Sequence, residues 1–92
     1  MSMYTWVHWT YDRTGGACFW CGKWLAFSNY GARGARAAWV IDHFYPFARW
    51  GADQPYNWVP ACHPCNDAKS DMLPWHFDPR IRPGERDPDN YL

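Results

Sequence analysis

Ninety-two residues with a formal net charge of zero at pH 7 make a single domain, 1–92, too short to hold a large core without a cross-link. Hydrophobic residues at 48% and aromatic residues at 21% exclude a disordered chain, and no apolar run approaches the roughly 18 residues that a membrane-spanning helix needs. Neutrality removes any general pull on phosphate, so nucleic-acid binding has to come from local clusters of Lys and Arg.

In chain order, the start Met1-Ser2-Met3-Tyr4-Thr5 lacks the basic-then-apolar order of a signal peptide, which gives the expectation of an intracellular protein. Residues 1 to 17 carry Tyr4, Trp6, Val7, Trp9 and Tyr11 and read as a short helix or an irregular, aromatic-rich arm laid on the core. His8 reads as a surface or core-edge residue. Arg13-Thr14-Gly15-Gly16 is a turn signal.

Cys18-Phe19-Trp20-Cys21-Gly22 has knuckle form: two residues between cysteines let both sulfurs reach one metal, and the glycine permits a left-handed turn. Lys23 to Phe27 reads as a short strand. Ser28 to Arg36 is loop-like, with two readings: a solvated loop, or one in which Arg33 and Arg36 meet phosphate.

Ala37 to His43 reads as a strand, Phe44 to Tyr56 as the loop of a long hairpin, and Asn57-Trp58-Val59 as the return strand, closed by Pro60. Strict alternation would send Asp42 and His43 to opposite faces, so the two can share a site only if the strand ends or bulges there.

Pro64 suits a first helical turn, and the helix is expected to run to Met72 and end at Pro74. On that wheel Cys65, Ala68 and Met72 form an apolar stripe, with Asn66, Lys69 and Ser70 on the adjacent face. Residues 77–92 carry Pro79, Pro83 and Pro88 and read as an extended C-terminal tail, its start pinned by Trp75 and Phe77.

A second Cys-x-x-Cys, Cys62 and Cys65, follows the first after 40 intervening residues. Two such pairs in a reducing compartment favour a structural zinc over disulfides. The segment between the pairs holds Asp42 and His43, and the helix after it presents Asn66. A carboxylate and a carboxamide are hard ligands suited to Mg²⁺ or Mn²⁺, and a nearby imidazole can take the proton of an attacking water.

The order Cys-x-x-Cys, Asp-His-x-x-Pro, Asn-x-Val, Cys-x-x-Cys-Asn-x-x-Lys resembles the HNH endonucleases over about residues 13–73. The resemblance implies an α+β fold, a small zinc-stapled ββα-metal or His-Me finger domain, and hydrolysis of DNA phosphodiesters to 5′-phosphate and 3′-hydroxyl ends. It implies His43 as general base, Asp42 and Asn66 as ligands of one catalytic divalent metal, and Asn57 as the residue that orients His43. Lys69 would face phosphate or the Asp42 carboxylate, while Cys18, Cys21, Cys62 and Cys65 would hold zinc.

Many HNH proteins carry a basic N-terminal helix, whereas here that region is aromatic and nearly uncharged. Phosphate contacts would fall to Arg13, Lys23, Arg33, Arg36, Arg49 and Lys69, with binding weak and salt-dependent, or with a DNA-processing partner delivering the substrate. A homodimer would serve for double-strand cleavage. The rival expectation is a zinc-stapled module that binds nucleic acid or protein without cutting it.

Overall fold

The computed structural model describes residues 3–92, with side chains from residue 5 onward; the side chain of Tyr4, counted above among the apolar residues, lies outside the described residues. The elements that position the site are helix α1 (Met3–Asp12), strands β1 (Trp39–His43) and β2 (Trp58–Cys62), and helices α2 (His63–Lys69) and α3 (Pro74–Phe77). The small α+β fold stacks α1, a two-stranded sheet and α2 in layers.

The N-terminal stretch is helical and not an irregular arm. Val7 and Thr10 are buried and Trp6 and Tyr11 half-buried, while Thr5, His8, Trp9 and Asp12 are exposed. Pairs of inward residues four apart are a helical stripe, so the short helix is the reading that holds, although Trp9, on the outer face, is as apolar as its neighbours. His8 pairs with Asp12 at 3.4 Å along the exposed face. The helix gives way to the predicted turn, where the Tyr11 ring lies against Gly16, leaving a Cβ there 2.7 Å from the phenol oxygen.

The first knuckle is a miniature hairpin. Cys18 N–H donates to the Lys23 carbonyl at 2.8 Å and Gly22 N–H to the Cys18 carbonyl at 2.8 Å, with Gly22 at φ 77°. Lys23 to Phe27 does not form the expected strand: a single bridge, Ala17 to Trp24, is followed by a 3-10 turn at Phe27–Asn29. The chain is needed instead to seat the fully buried Leu25, whose N–H returns to the Gly16 carbonyl.

β1 and β2 pair antiparallel in unbroken register, Trp39 with Cys62 through His43 with Trp58. The Phe44 N–H continues the ladder to the Asn57 carbonyl at 2.8 Å. Pro60, expected to close the return strand, instead sits inside it opposite Ile41. Alternation from the Phe44–Asn57 bond puts that pair at a non-hydrogen-bonded position, where the missing N–H of proline costs no ladder bond.

One sheet face carries Trp39 against Tyr11 and Trp58 against Trp6, both from α1. The other carries Phe44, stacked on Trp20 with 2° between the rings. Leu25, Trp39, Phe44, Val59 and Ala61 are fully buried, so both faces contribute to the core.

α2 stops at Lys69, earlier than expected. Ser70 turns to φ 47°, ψ −122° while its N–H closes on the Asn66 carbonyl. Pro74 begins α3 instead of ending α2, in the first-turn position that tolerates proline. The Cys65–Ala68–Met72 stripe packs only in part: Cys65 lies against the core and Met72 is half-buried, but Ala68 is exposed and Lys69 is buried. Beyond α3 the chain is not a free extended tail. Ile81 and Pro88 are buried, Tyr91 stacks near Phe44 at 6.3 Å, and residues 88–91 form a 3-10 turn.

Candidate active site and metal centre

The two cysteine pairs meet. The Sγ atoms of Cys18, Cys21, Cys62 and Cys65 all lie within 4.8 Å of one another, and Cys21 and Cys62 are 3.9 Å apart. Tetrahedral zinc with bonds of about 2.3 Å requires sulfurs about 3.8 Å apart, so the donor set and spacing fit zinc. Burial pushes the thiols of Cys18 and Cys65 up. A bound dication would reverse that by rewarding thiolates. The Cys62 N–H points at Cys18 Sγ at 3.4 Å, a bond suited to a ligating sulfur.

Asp42 sits between the first knuckle and α2. Its Oδ2 accepts from the Trp20 indole N–H at 2.9 Å, and its Oδ1 is 3.5 Å from Lys69 Nζ. Lys69, with no exposed surface, also donates to the His43 carbonyl at 2.9 Å and lies 5.5 Å from the Trp20 ring centroid. Burial pushes the Asp42 carboxyl up and the Lys69 ammonium down. Mutual attraction offsets only part of that cost, the usual balance for a desolvated pair.

His43 is on the other face. With β1 regular through residues 42 and 43, its ring turns toward α1's side of the sheet, where Nε2 lies 3.0 Å from Asp53 Oδ1. The Trp58 indole donates to the same oxygen at 3.3 Å, and the Phe47 ring stands 5.8 Å away. The hydrogen bond from His43 holds the Asp53 carboxyl below its usual range. An ionised Asp53 only accepts, so Nε2 is the donor in this bond, which in a neutral ring would leave the lone pair on Nδ1. The bulge needed to unite Asp42 and His43 is absent. They share the strand end through the His43 carbonyl, with their side chains parted.

The order of these parts along the chain, an Asp-His step at the end of one strand, Asn57 at the start of the next and Cys-x-x-Cys-Asn-x-x-Lys on the helix, has a counterpart among known proteins. Residues 32–75 match the HNH endonuclease family. Comparison with curated proteins finds no match. The HNH segment thus spans the hairpin, α2 and the start of α3, with the first knuckle and α1 before it.

Within the HNH segment several of the expected site residues lie against other partners. Asn57 does not orient His43. Its Nδ2 donates to the carbonyls of Tyr45 and Ala52 and its Oδ1 accepts from Tyr45 N–H, all at 2.9 Å. It ties the neck of the hairpin loop, and the carboxylate beside the His43 ring is that of Asp53. Lys69 faces Asp42, as one alternative held, and is too buried to meet phosphate. Asn66 lies half-buried one turn before Lys69 on α2.

Among the other basic residues, Arg13 is a clamp and not a phosphate contact. Its guanidinium, with 6% of the side chain exposed, reaches the carbonyls of Pro55, Tyr56 and Trp58, pairs with Asp89 and lies over Trp9. Arg33 is held bidentately by Asp67 at 2.7 and 2.9 Å, and it lines one cleft with Lys23, His63 and Asp67 beside the second cysteine pair. Arg36 lies over Trp24. Arg49 is at the hairpin tip, its Nε donating to the Asp71 carbonyl at 2.6 Å.

Asp53 and Trp20 were not singled out from sequence. Asp53 is the only acidic residue between Pro46 and Asn57, a signal available but without meaning until the loop folds back on β1. Trp20 is hidden inside the cysteine knuckle, where an aromatic residue reads as packing.

Proposed function

We propose that the chain is an HNH-type nuclease that hydrolyses DNA phosphodiester bonds, with His43 as general base and Asp53 as its positioning residue. The observation that carries this reading is the His43–Asp53 bond inside the HNH-matched segment, which leaves Nδ1 of a part-exposed ring free to take a proton. Water attacking phosphorus gives its proton to Nδ1 as the new P–O bond forms. The bond to the 3′ oxygen breaks, that oxygen takes a proton from solvent, and the ionised Asp53 steadies the imidazolium.

The HNH resemblance offers Asp42 and Asn66 to a divalent metal. Asp42 as placed does not fit: it is 6% exposed, one oxygen accepts from an indole, and the other faces an ammonium that stands where a cation would bind. Asp42 and Lys69 instead hold the end of β1 and so fix the backbone that carries His43. Zinc at the four cysteines fits and supplies structural cross-linking. A closed carboxylate also favours the second reading, a zinc-stapled module that binds nucleic acid without cutting.

Plasmid cleavage by zinc-loaded protein with added Mg²⁺ or Mn²⁺ separates the two. Wild type is expected to nick or cut, and His43→Ala to fold normally with cleavage reduced by about 10² to 10⁴-fold. Asp53→Asn is expected to weaken cleavage less and to change its pH profile. Undiminished cleavage by His43→Ala refutes the assignment, and inactivity of wild type with every divalent metal favours the binding module.

A further inference from the structure

The loop between the strands ends in a tip that the hydrolytic reading leaves unused. Trp50 is 92% exposed and Phe47 63%, whereas Trp39 and Trp20 are buried in the core. An indole held in water gives up burial that the fold could otherwise use, and this one is held firmly. Trp50 has a left-handed backbone at φ 71°, its N–H closing on the Phe47 carbonyl. Gly51 N–H and Arg49 N–H both return to the Pro46 carbonyl at 2.9 Å. Gly51 is packed so tightly that a Cβ would lie 1.9 Å from the Tyr45 carbonyl oxygen. Below the tip, the three bonds of Asn57 lock the neck.

The tip adjoins the proposed reactive group, since the Phe47 ring is 5.8 Å from that of His43. Arg49 shares the turn and is exposed, its Nε donating to the Asp71 carbonyl. A chain of zero net charge gains little from counterion release, so its grip on nucleic acid has to be found elsewhere. Aromatic faces supply it by stacking on bases, without sequence preference and at low entropy cost when the turn is already rigid. Paired bases inside a duplex are covered on both faces by their neighbours, and only an unpaired base offers a free one.

We propose that Trp50, with Phe47 and Arg49, is a stacking platform for unpaired bases beside His43, and that the substrate class is single-stranded or locally unpaired nucleic acid. The cleavage part rests on the nuclease reading, and the binding part does not.

The test is fluorescence anisotropy of a labelled oligothymidine and of a duplex of equal length, titrated with zinc-loaded wild type, Trp50→Ala and Trp50→Phe, with zinc content and circular dichroism confirming the fold. Wild type is expected to bind the single strand more tightly than the duplex. Trp50→Ala should weaken single-strand binding by about 5- to 150-fold and duplex binding by less than about twofold, and Trp50→Phe should restore most of the loss. Unchanged single-strand affinity in Trp50→Ala, an equal loss on both ligands, or no binding to either by wild type overturns the platform. The expected binding pattern without cleavage by wild type would leave the platform standing and remove the nuclease.

Discussion

Replacing Lys69 by methionine tests the buried centre most directly. Met fills similar volume but removes the ammonium 3.5 Å from Asp42 Oδ1 and the bond to the His43 carbonyl, leaving Asp42 as an uncompensated buried carboxylate. Breaking one side of a buried pair costs about 3–5 kcal/mol, and the lost bond to the carbonyl adds about 1 kcal/mol. A domain of this size has a total stability of roughly 5–14 kcal/mol. Urea titration with zinc held saturating should therefore show the variant losing about 30% or more of its stability. The sign with pH follows from Asp42: burial lifts its folded-state carboxyl above the ordinary 3.8, so the penalty is absent below that value and grows as pH rises toward the lifted pKa. The variant's deficit should shrink on acidification, and Asp42→Asn placed on top of Lys69→Met should recover about 2 kcal/mol or more at neutral pH. A Lys69→Met deficit under about 1 kcal/mol, or a double variant no more stable than the single, would show that the pair is not the buried centre described.

Two further changes probe the frame around it. Cys62→Ser, or chelation of the wild type, is expected to abolish cooperative unfolding, because zinc binding is folding energy in a chain this small; a chelated protein that keeps its circular dichroism and melting transition would count against the four-cysteine centre. Asn57→Ala leaves three backbone groups of the loop neck without partners and should cost about 2–4 kcal/mol by urea titration, while Asn57→Asp, which loses both donations, should recover little of it. A neutral result for the alanine change would mean that the loop is not tied at that point.

The parts of the site that came through in the sequence are those set by local spacing. Cys18, Cys21, Cys62 and Cys65 announce their convergence because two residues between cysteines suit one metal, and β1 announces itself by its β-branched and aromatic run. What stayed hidden depends on which face a side chain finally takes. Helical spacing leaves Lys69 to face phosphate or the Asp42 carboxylate, and only its burial beside Asp42 chooses between them. Asp53 reads as loop polarity until the loop folds back on His43. The α1 stripe was masked because aromatic residues stand on its outer face as well as its inner one. The parting of Asp42 from His43 follows from alternation alone, and the required bulge was a condition that the strand does not meet.

The knuckle at Cys18 does more than contribute sulfurs. Phe19 N–H takes the outward carbonyl of Pro60 at 2.9 Å, and Cys18 Sγ takes the outward N–H of Cys62, so the metal-bearing turn is also the cover of β2's outer edge. Strands left uncovered at such an edge recruit other chains. If zinc holds this turn, its loss would open a sticky margin next to an aromatic core, and association would compete with refolding. In a zinc-poor solution, association of chains through the bared edge is therefore expected to rise with protein concentration.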